Sequence, residues 1–155
     1  MSAVLAQPEL VIRPMLEADL TDIMLIESAA YPFPWTQRIF QDCFKKHYYN
    51  FVLEDNQVLL GYALMLIAHP QEAHILNICI HPDYQNCGYG RILLNYLLDS
   101  ARAKEVDEIL LEVRPSNEAA IRLYHAMGFN QIGVRRNYYP AKEGRENALM
   151  FGLSL

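Results

Sequence analysis

The segment Gln85-Asn86-Cys87-Gly88-Tyr89-Gly90 lies between a run of extended-chain residues, His74 to His81, and a run with helical periodicity, Arg91 to Lys104. Two glycines so close together at a strand-to-helix junction let the backbone bend tightly and approach a ligand without interference from Cβ atoms. The N–H groups of such a bend converge, and the helix after it begins with unpaired donors and the positive end of its dipole. An anion, most naturally a pyrophosphate, suits that arrangement. The segment is not a Walker A loop, because no Gly-Lys-Ser/Thr follows. It is not Gly-x-Gly-x-x-Gly either, because Leu93 stands three residues after Gly90. Taken alone it also reads as a plain tight turn.

The chain around the bend alternates strand and helix patterns. Glu9 to Arg13 reads as a strand closed by Pro14. Ala18 to Ala30 reads as a helix, with Leu20, Ile23, Met24 and Glu27 marking its turns. Two prolines keep Tyr31 to Trp35 out of a helix. Thr36 caps a second helix reaching about Lys45. Tyr49 to Glu54 and Val58 to Ala68 are strands joined by a hairpin signal at Asp55-Asn56, and Gly61 marks a bulge or a close backbone approach. In Arg91 to Lys104, Leu93, Leu94, Leu97, Leu98 and Ala101 share one face. Glu108 to Val113 is a nearly continuous apolar strand. Ser116 to Met127 is an amphipathic helix, capped by Ser116 and stopped by Gly128. Phe129 to Tyr139 and Asn147 to Leu153 are the last strands. The order predicts an α/β (α+β) layered fold in one domain, 1–155, with a mixed, mostly antiparallel sheet and helices on both faces.

Composition narrows the function. The 155 residues are 52% hydrophobic and 20% charged, ordinary globular usage, and the net charge of -5 argues against a general nucleic-acid binder. Cys43, Cys79 and Cys87 form an odd set without a Cys-x-x-Cys pair, which points to a reducing, cytoplasmic setting. Met1 to Leu10 does not read as a signal peptide, and no apolar run approaches membrane-spanning length. The histidines and cysteines do not fall at metal-ligand spacings, so no metal site is expected.

Three further residues carry potential chemistry. Glu112 interrupts the apolar run Ile109-Leu110-Leu111-Val113. It is either a Glu on a solvated strand face or a buried carboxylate, and burial raises a carboxyl pKa toward the range useful to a general base. Tyr124 lies with Ala120, Leu123 and Met127 on the apolar face of its helix. It is either a core tyrosine or a phenol aimed into a cleft as a proton donor. Asn117, in the first turn, either caps the helix or points its amide at a ligand.

In combination these residues resemble the Gcn5-related N-acetyltransferase family. The resemblance covers nearly the whole chain and is most specific from Leu76 to Phe129: Gln-x-x-Gly-x-Gly, Leu111-Glu112-Val113, Asn117, Leu123-Tyr124 and Gly128-Phe129. It implies that family's three-layer fold, with about seven strands and about four helices. It also implies acetyl-coenzyme A as co-substrate, with backbone groups of Ile78, Cys79 and Ile80 along the pantetheine arm. Gln85, Asn86, Cys87, Gly88, Tyr89, Gly90 and Arg91 would hold the pyrophosphate, and Asn117 would touch the cofactor. Glu112 becomes the general base and Tyr124 the general acid. Cys87 stands where relatives often carry a basic residue. Phe33-Pro34-Trp35, Leu111 to Asn117, and Arg135 to Pro140 with Gly144-Arg145-Glu146 resemble members that acetylate the N-terminal alanine of a small-subunit ribosomal protein. The implied partner is that peptide terminus, met by a monomer away from nucleic acid and membrane. Trp35 and Tyr138 are candidates for the acceptor groove, the alternative being that both pack in the core. A non-catalytic acyl-coenzyme A sensor and an acetyltransferase for small amines are the competing readings.

Overall fold

The structure, a computed structural model, describes residues 9–69 and 71–155, so the expectation about the leading segment falls outside it but for its end. Seven strands form one sheet: β1 Leu10–Pro14, β2 Tyr48–Asp55, β3 Val58–His69, β4 Glu72–Ile80, β5 Glu108–Val113, β6 Asn130–Pro140 and β7 Arg145–Ser154. Their spatial order is β1-β2-β3-β4-β5-β7-β6. Only β4 and β5 pair in parallel, and α3 makes the crossover between them. The helices are α1 Leu20–Ala30, α2 Gln37–Gln41, α3 Tyr89–Ala103 and α4 Glu118–Ala126. The expected layered architecture is the one observed.

Strand alternation divides the core in two. On β3, Ala63 and Met65 face the cluster that holds Leu93, Leu94, Leu97 and Leu98 of α3 together with Tyr124 of α4. Tyr62 and Leu64 face the other cluster, which holds Leu20, Ile23 and Ile26 of α1 and Phe40 of α2. The four α3 leucines are at most 3% exposed. Burying each contributes about 1.5–3 kcal/mol relative to exposure.

Local signals act where they were expected, with corrections. The Thr36 hydroxyl accepts from the Ile39 N–H and starts α2. The helix ends at Gln41, short of the expected Lys45, because buried Phe40 and Cys43 anchor the chain while it turns back to begin β2. The Asn50 side-chain amide secures that turn by donating to the Cys43 carbonyl. In the β2–β3 hairpin the left-handed pair is Asn56-Gln57, one residue beyond the expected dipeptide. At Gly61 a Cβ would stand 2.6 Å from the Cys79 carbonyl oxygen, the close approach that the glycine announced. Asn117, not Ser116, caps α4: its Oδ1 accepts from Ala120 N–H, while the Ser116 N–H is taken by Glu146. Gly128, at φ 95°, ends α4; its N–H donates to the His125 carbonyl and the Phe129 N–H to the Tyr124 carbonyl.

One irregularity opens the sheet. β4 pairs with β5 only from Glu72 to Ile75. Next on β4 the register against β3 slips, so Asn77 faces Leu64 and Ile75 faces Met65 with Leu76 extra. This bulge turns the strand, and β4 and β5 diverge beyond it.

Candidate active site

The divergence leaves a cavity of about 580 Å³ between β4 and β5, lined among others by Leu76, Asn77, Ile78, Glu112, Asn117 and Tyr124. Its β4 wall is formed by Ile75 to Ile78. The His81 N–H bonds the Leu60 carbonyl on β3, so alternation turns the amides of Cys79 toward β3 and those of Ile78 and Ile80 toward the gap. Of the three residues expected along a pantetheine arm, Ile78 and Ile80 therefore present hydrogen-bonding groups and Cys79 does not. The Ile78 carbonyl accepts from the Tyr31 hydroxyl at 3.2 Å and the Ile80 carbonyl from the Gln85 side-chain amide at 3.1 Å.

Beyond β4 a short 3-10 turn at Pro82–Tyr84 leads into the glycine bend. Asn86 and Gly88 adopt φ of 61° and 85°, and a Cβ on Gly88 would meet nothing within 4 Å. Gly88 is the N-cap of α3 and supplies no side-chain cap, so the N–H groups of Tyr89, Gly90 and Arg91 remain as first-turn donors. Helix α3 starts two residues earlier than predicted, which puts Tyr89 and Gly90 inside it. Gly90 lies nearer its neighbours than Gly88: a Cβ there would sit 3.4 Å from Leu123 and 3.8 Å from Ile80, ordinary contact distances. Cys87 is exposed on the bend.

On the β5 wall, Ile109, Leu111 and Val113 point into the core, so Glu112 points to the other face. Its side chain is 10% exposed, and its Oε1 lies 3.2 Å from Arg135 Nε and 4.0 Å from His74 Nε2. The carboxylate is nearly covered, as one of the two sequence readings had it, but it is held by a guanidinium rather than isolated in hydrocarbon. Tyr124 is 5% exposed, its ring packed near Phe129 and Phe151 at centroid distances of 5.7 and 6.2 Å. Burial pushes its hydroxyl pKa well above the ordinary range, with Tyr139 and Cys79 adding to the shift. The Tyr124 hydroxyl takes part in none of the hydrogen bonds found among the described residues, and it lines the cavity together with Glu112. Asn117 caps α4 through Oδ1, which leaves its amide nitrogen for the cavity.

Trp35 lines the cavity and also packs on Phe40 at 5.2 Å. Tyr138 is 44% exposed and lies outside the cavity lining, but its hydroxyl interacts with the Glu112 carboxylate and Arg135 lies over its ring. It stacks at 4.9 Å on Tyr139, and Tyr139 is the residue that lines the cavity. The chain slips register between Arg135 and Tyr139, with Asn137 at φ 54°, and this offset decides which tyrosine turns inward.

Sequence reasoning passed over Glu27. It is 2% exposed, the one buried charged side chain among the described residues. Its Oε2 accepts from the Trp35 N–H at 2.9 Å, and its Oε1 accepts from the Tyr62 hydroxyl at 2.7 Å and the Asn77 side-chain amide at 3.0 Å. It thereby ties α1, the segment after it, β3 and the β4 bulge together at the cavity wall. Its place on the apolar face, beside Leu20 and Ile23, was the available signal.

A mixed sheet splayed at its parallel pair, with an uncapped glycine bend at one end of the gap and a carboxylate and a phenol at its sides, defines an acyl-transferase type of site. The acetyltransferase (GNAT) family profile matches residues 17–129, and the chain belongs to that family. It is 41% identical over 137 residues to the ribosomal protein bS18-alanine N-acetyltransferase of Escherichia coli, covering 88% of this chain and 92% of that one. The enzyme of the same name from Haemophilus influenzae is 37% identical over 138 residues, covering 88% and 93%. The crystal structure of the Escherichia coli enzyme superposes with a TM-score of 0.88 at 39% identity, over 94% of this chain and 93% of that one.

Proposed function

We propose that this chain is a single-domain, monomeric, cytoplasmic enzyme that moves the acetyl group of acetyl-coenzyme A to the α-amine of an N-terminal alanine on ribosomal protein bS18. The observation that carries the reading is the gap between β4 and β5, whose lining brings together Ile78 of β4, Glu112, Asn117 and Tyr124. The choice of acceptor is supported by the relatives at 37–41% identity, whose names specify that alanine.

The residues present fit acetyl-coenzyme A. The bend from Gln85 to Arg91 offers converging N–H groups and open space over Gly88 for a diphosphate. Ile78 and Ile80 offer a strand edge to an amide-bearing arm, and Asn117 a side-chain amide. The co-substrate brings an already activated thioester. The protein must then align the amine, remove its proton and supply one to the departing sulfur.

Glu112 takes the amine proton, through a water molecule, while Arg135 fixes the carboxylate in place. Tyr124 delivers a proton to the thiolate, and its burial keeps the phenol protonated at neutral pH. Such acid and base assistance contributes typically about 10²–10⁴-fold each. Alignment of amine and thioester contributes up to about 7–11 kcal/mol in favourable cases. Attack is direct, in a ternary complex. Cys79, the thiol beside the gap, is a poor acyl carrier, because burial pushes its pKa up to about 11 and holds it as the un-ionised thiol.

Mass spectrometry of an Ala-initiated peptide after incubation with acetyl-coenzyme A tests this. Acetyl on the α-amine is the expected product. Acetyl on lysine side chains alone, or faster turnover of small amines, would reassign the acceptor. Absence of transfer to any amine would leave only the sensor reading.

A further inference from the structure

Arg114 follows β5 directly, two residues after Glu112. Its Nη1 donates to the Pro140 carbonyl at 2.7 Å and to Glu146 Oε2 at 3.2 Å. Its guanidinium carbon lies 4.4 Å from the centroid of the Tyr139 ring and 5.5 Å from that of Phe33. Phe33 belongs to the segment between α1 and α2, and Tyr139 and Pro140 end β6. These stretches are distant in sequence, yet both line the cavity, and so does Arg114. One planar cation is thus held between two walls of the same mouth.

Glu146 braces it. Oε1 of that carboxylate accepts the Ser116 N–H at 3.0 Å, so the ion pair is anchored to the start of α4 as well as to β7. The two side chains are 21% and 23% exposed, which distinguishes them from a freely solvated surface pair. The planar group stacks and bonds at once, which a lysine ammonium cannot do.

We infer that Arg114, braced by Glu146, is a positioning residue that sets the width of the acceptor mouth and thereby restricts which first residue of a polypeptide is accepted. The inference rests on the acetyl-transfer reading above and adds to it the element that sizes the acceptor. A mouth fixed by one rigid group suits a chain terminus with a small first side chain. Loosening it weakens the hold on a small first residue and admits a larger one.

The test compares Arg114→Lys with the wild type on two peptides that differ only in beginning with Ala or Leu. The KM for the Ala peptide should rise about tenfold or more, with kcat kept within about threefold and coenzyme A affinity unchanged. The Leu-to-Ala ratio of kcat/KM should shift toward Leu by about fivefold or more. Phe33→Leu, at a ring that is 41% exposed and so tolerant of change, should move the ratio the same way. An unchanged ratio in both variants overturns the inference, even if Arg114→Lys lowers Tm, because a purely structural brace would do only that. In that event the wild type still acetylates the Ala peptide and the functional reading stands. A wild type that acetylates neither peptide overturns the functional reading and this inference with it.

Discussion

At the glycine bend the protein offers a ligand almost nothing but main chain, whereas at the mouth between Phe33 and Tyr139 it offers almost nothing but side chains. The bend has Gly88 in a left-handed conformation, an uncapped helix start and an exposed Cys87. The mouth has Arg114 between two rings, Glu112 against Arg135, and Glu27 bonded to three partners. The difference teaches where substitutions matter. A site made of amides tolerates side-chain change so long as the backbone keeps its path. A site made of ion pairs and rings changes its behaviour with each residue. The first arrangement suits a co-substrate that is always the same, and the second an acceptor that must be chosen.

The contrast can be broken at several points. Glu112→Gln should lower kcat by about 10²–10⁴-fold with little change in coenzyme A affinity, measured by steady-state turnover beside calorimetric binding. A loss of cofactor affinity instead would put Glu112 on the wrong side of the comparison. Glu27→Ala strands the Tyr62 hydroxyl, the Asn77 amide and the Trp35 N–H together. Chemical denaturation should show a loss of about 3–5 kcal/mol.

On the main-chain side, Gly88→Ala meets no neighbour, so its whole cost is the left-handed backbone, about 1–2 kcal/mol. Weaker coenzyme A binding with unchanged KM for peptide would sharpen the comparison; a loss as large as that of Glu112→Gln would break it. The smallest effect belongs to Cys87→Arg. A cation added to an exposed position should tighten coenzyme A by no more than about fivefold, and less at high salt.

Stability should also decline at high pH. Burial raises the Tyr62 and Tyr124 hydroxyls far above the unfolded value of about 10. Above that value the unfolded chain sheds these protons and the folded one keeps them, so stability present below pH 10 is lost as pH rises further. Tyr62→Phe should flatten the alkaline decline, followed by thermal unfolding between pH 8 and about 11.

Much of this was legible in local sequence because local physics fixes it. Thr36 caps, Gly128 ends a helix, Gly61 permits a close approach and the leucines of α3 recur on one face wherever they occur. What was not legible depends on register and distance. The slip at Leu76-Asn77 opens the sheet, and its neighbours in sequence give no sign of it. A second slip decides that Tyr139 rather than Tyr138 turns inward. Glu27 shows only its place on the apolar face of α1 until Tyr62 and Asn77 are brought to it from other strands. Asn117 rather than Ser116 caps α4, and the Ser116 N–H goes instead to Glu146, thirty residues away.

The most direct measurement is a crystal structure with coenzyme A and an Ala-initiated peptide bound together. Acetyl transfer as described requires the diphosphate on the amides of Gln85 to Arg91, the sulfur in the β4–β5 gap within reach of the Tyr124 hydroxyl, and the amine on the Glu112 side. A diphosphate seated elsewhere, or a sulfur with both side chains turned from it, would contradict it.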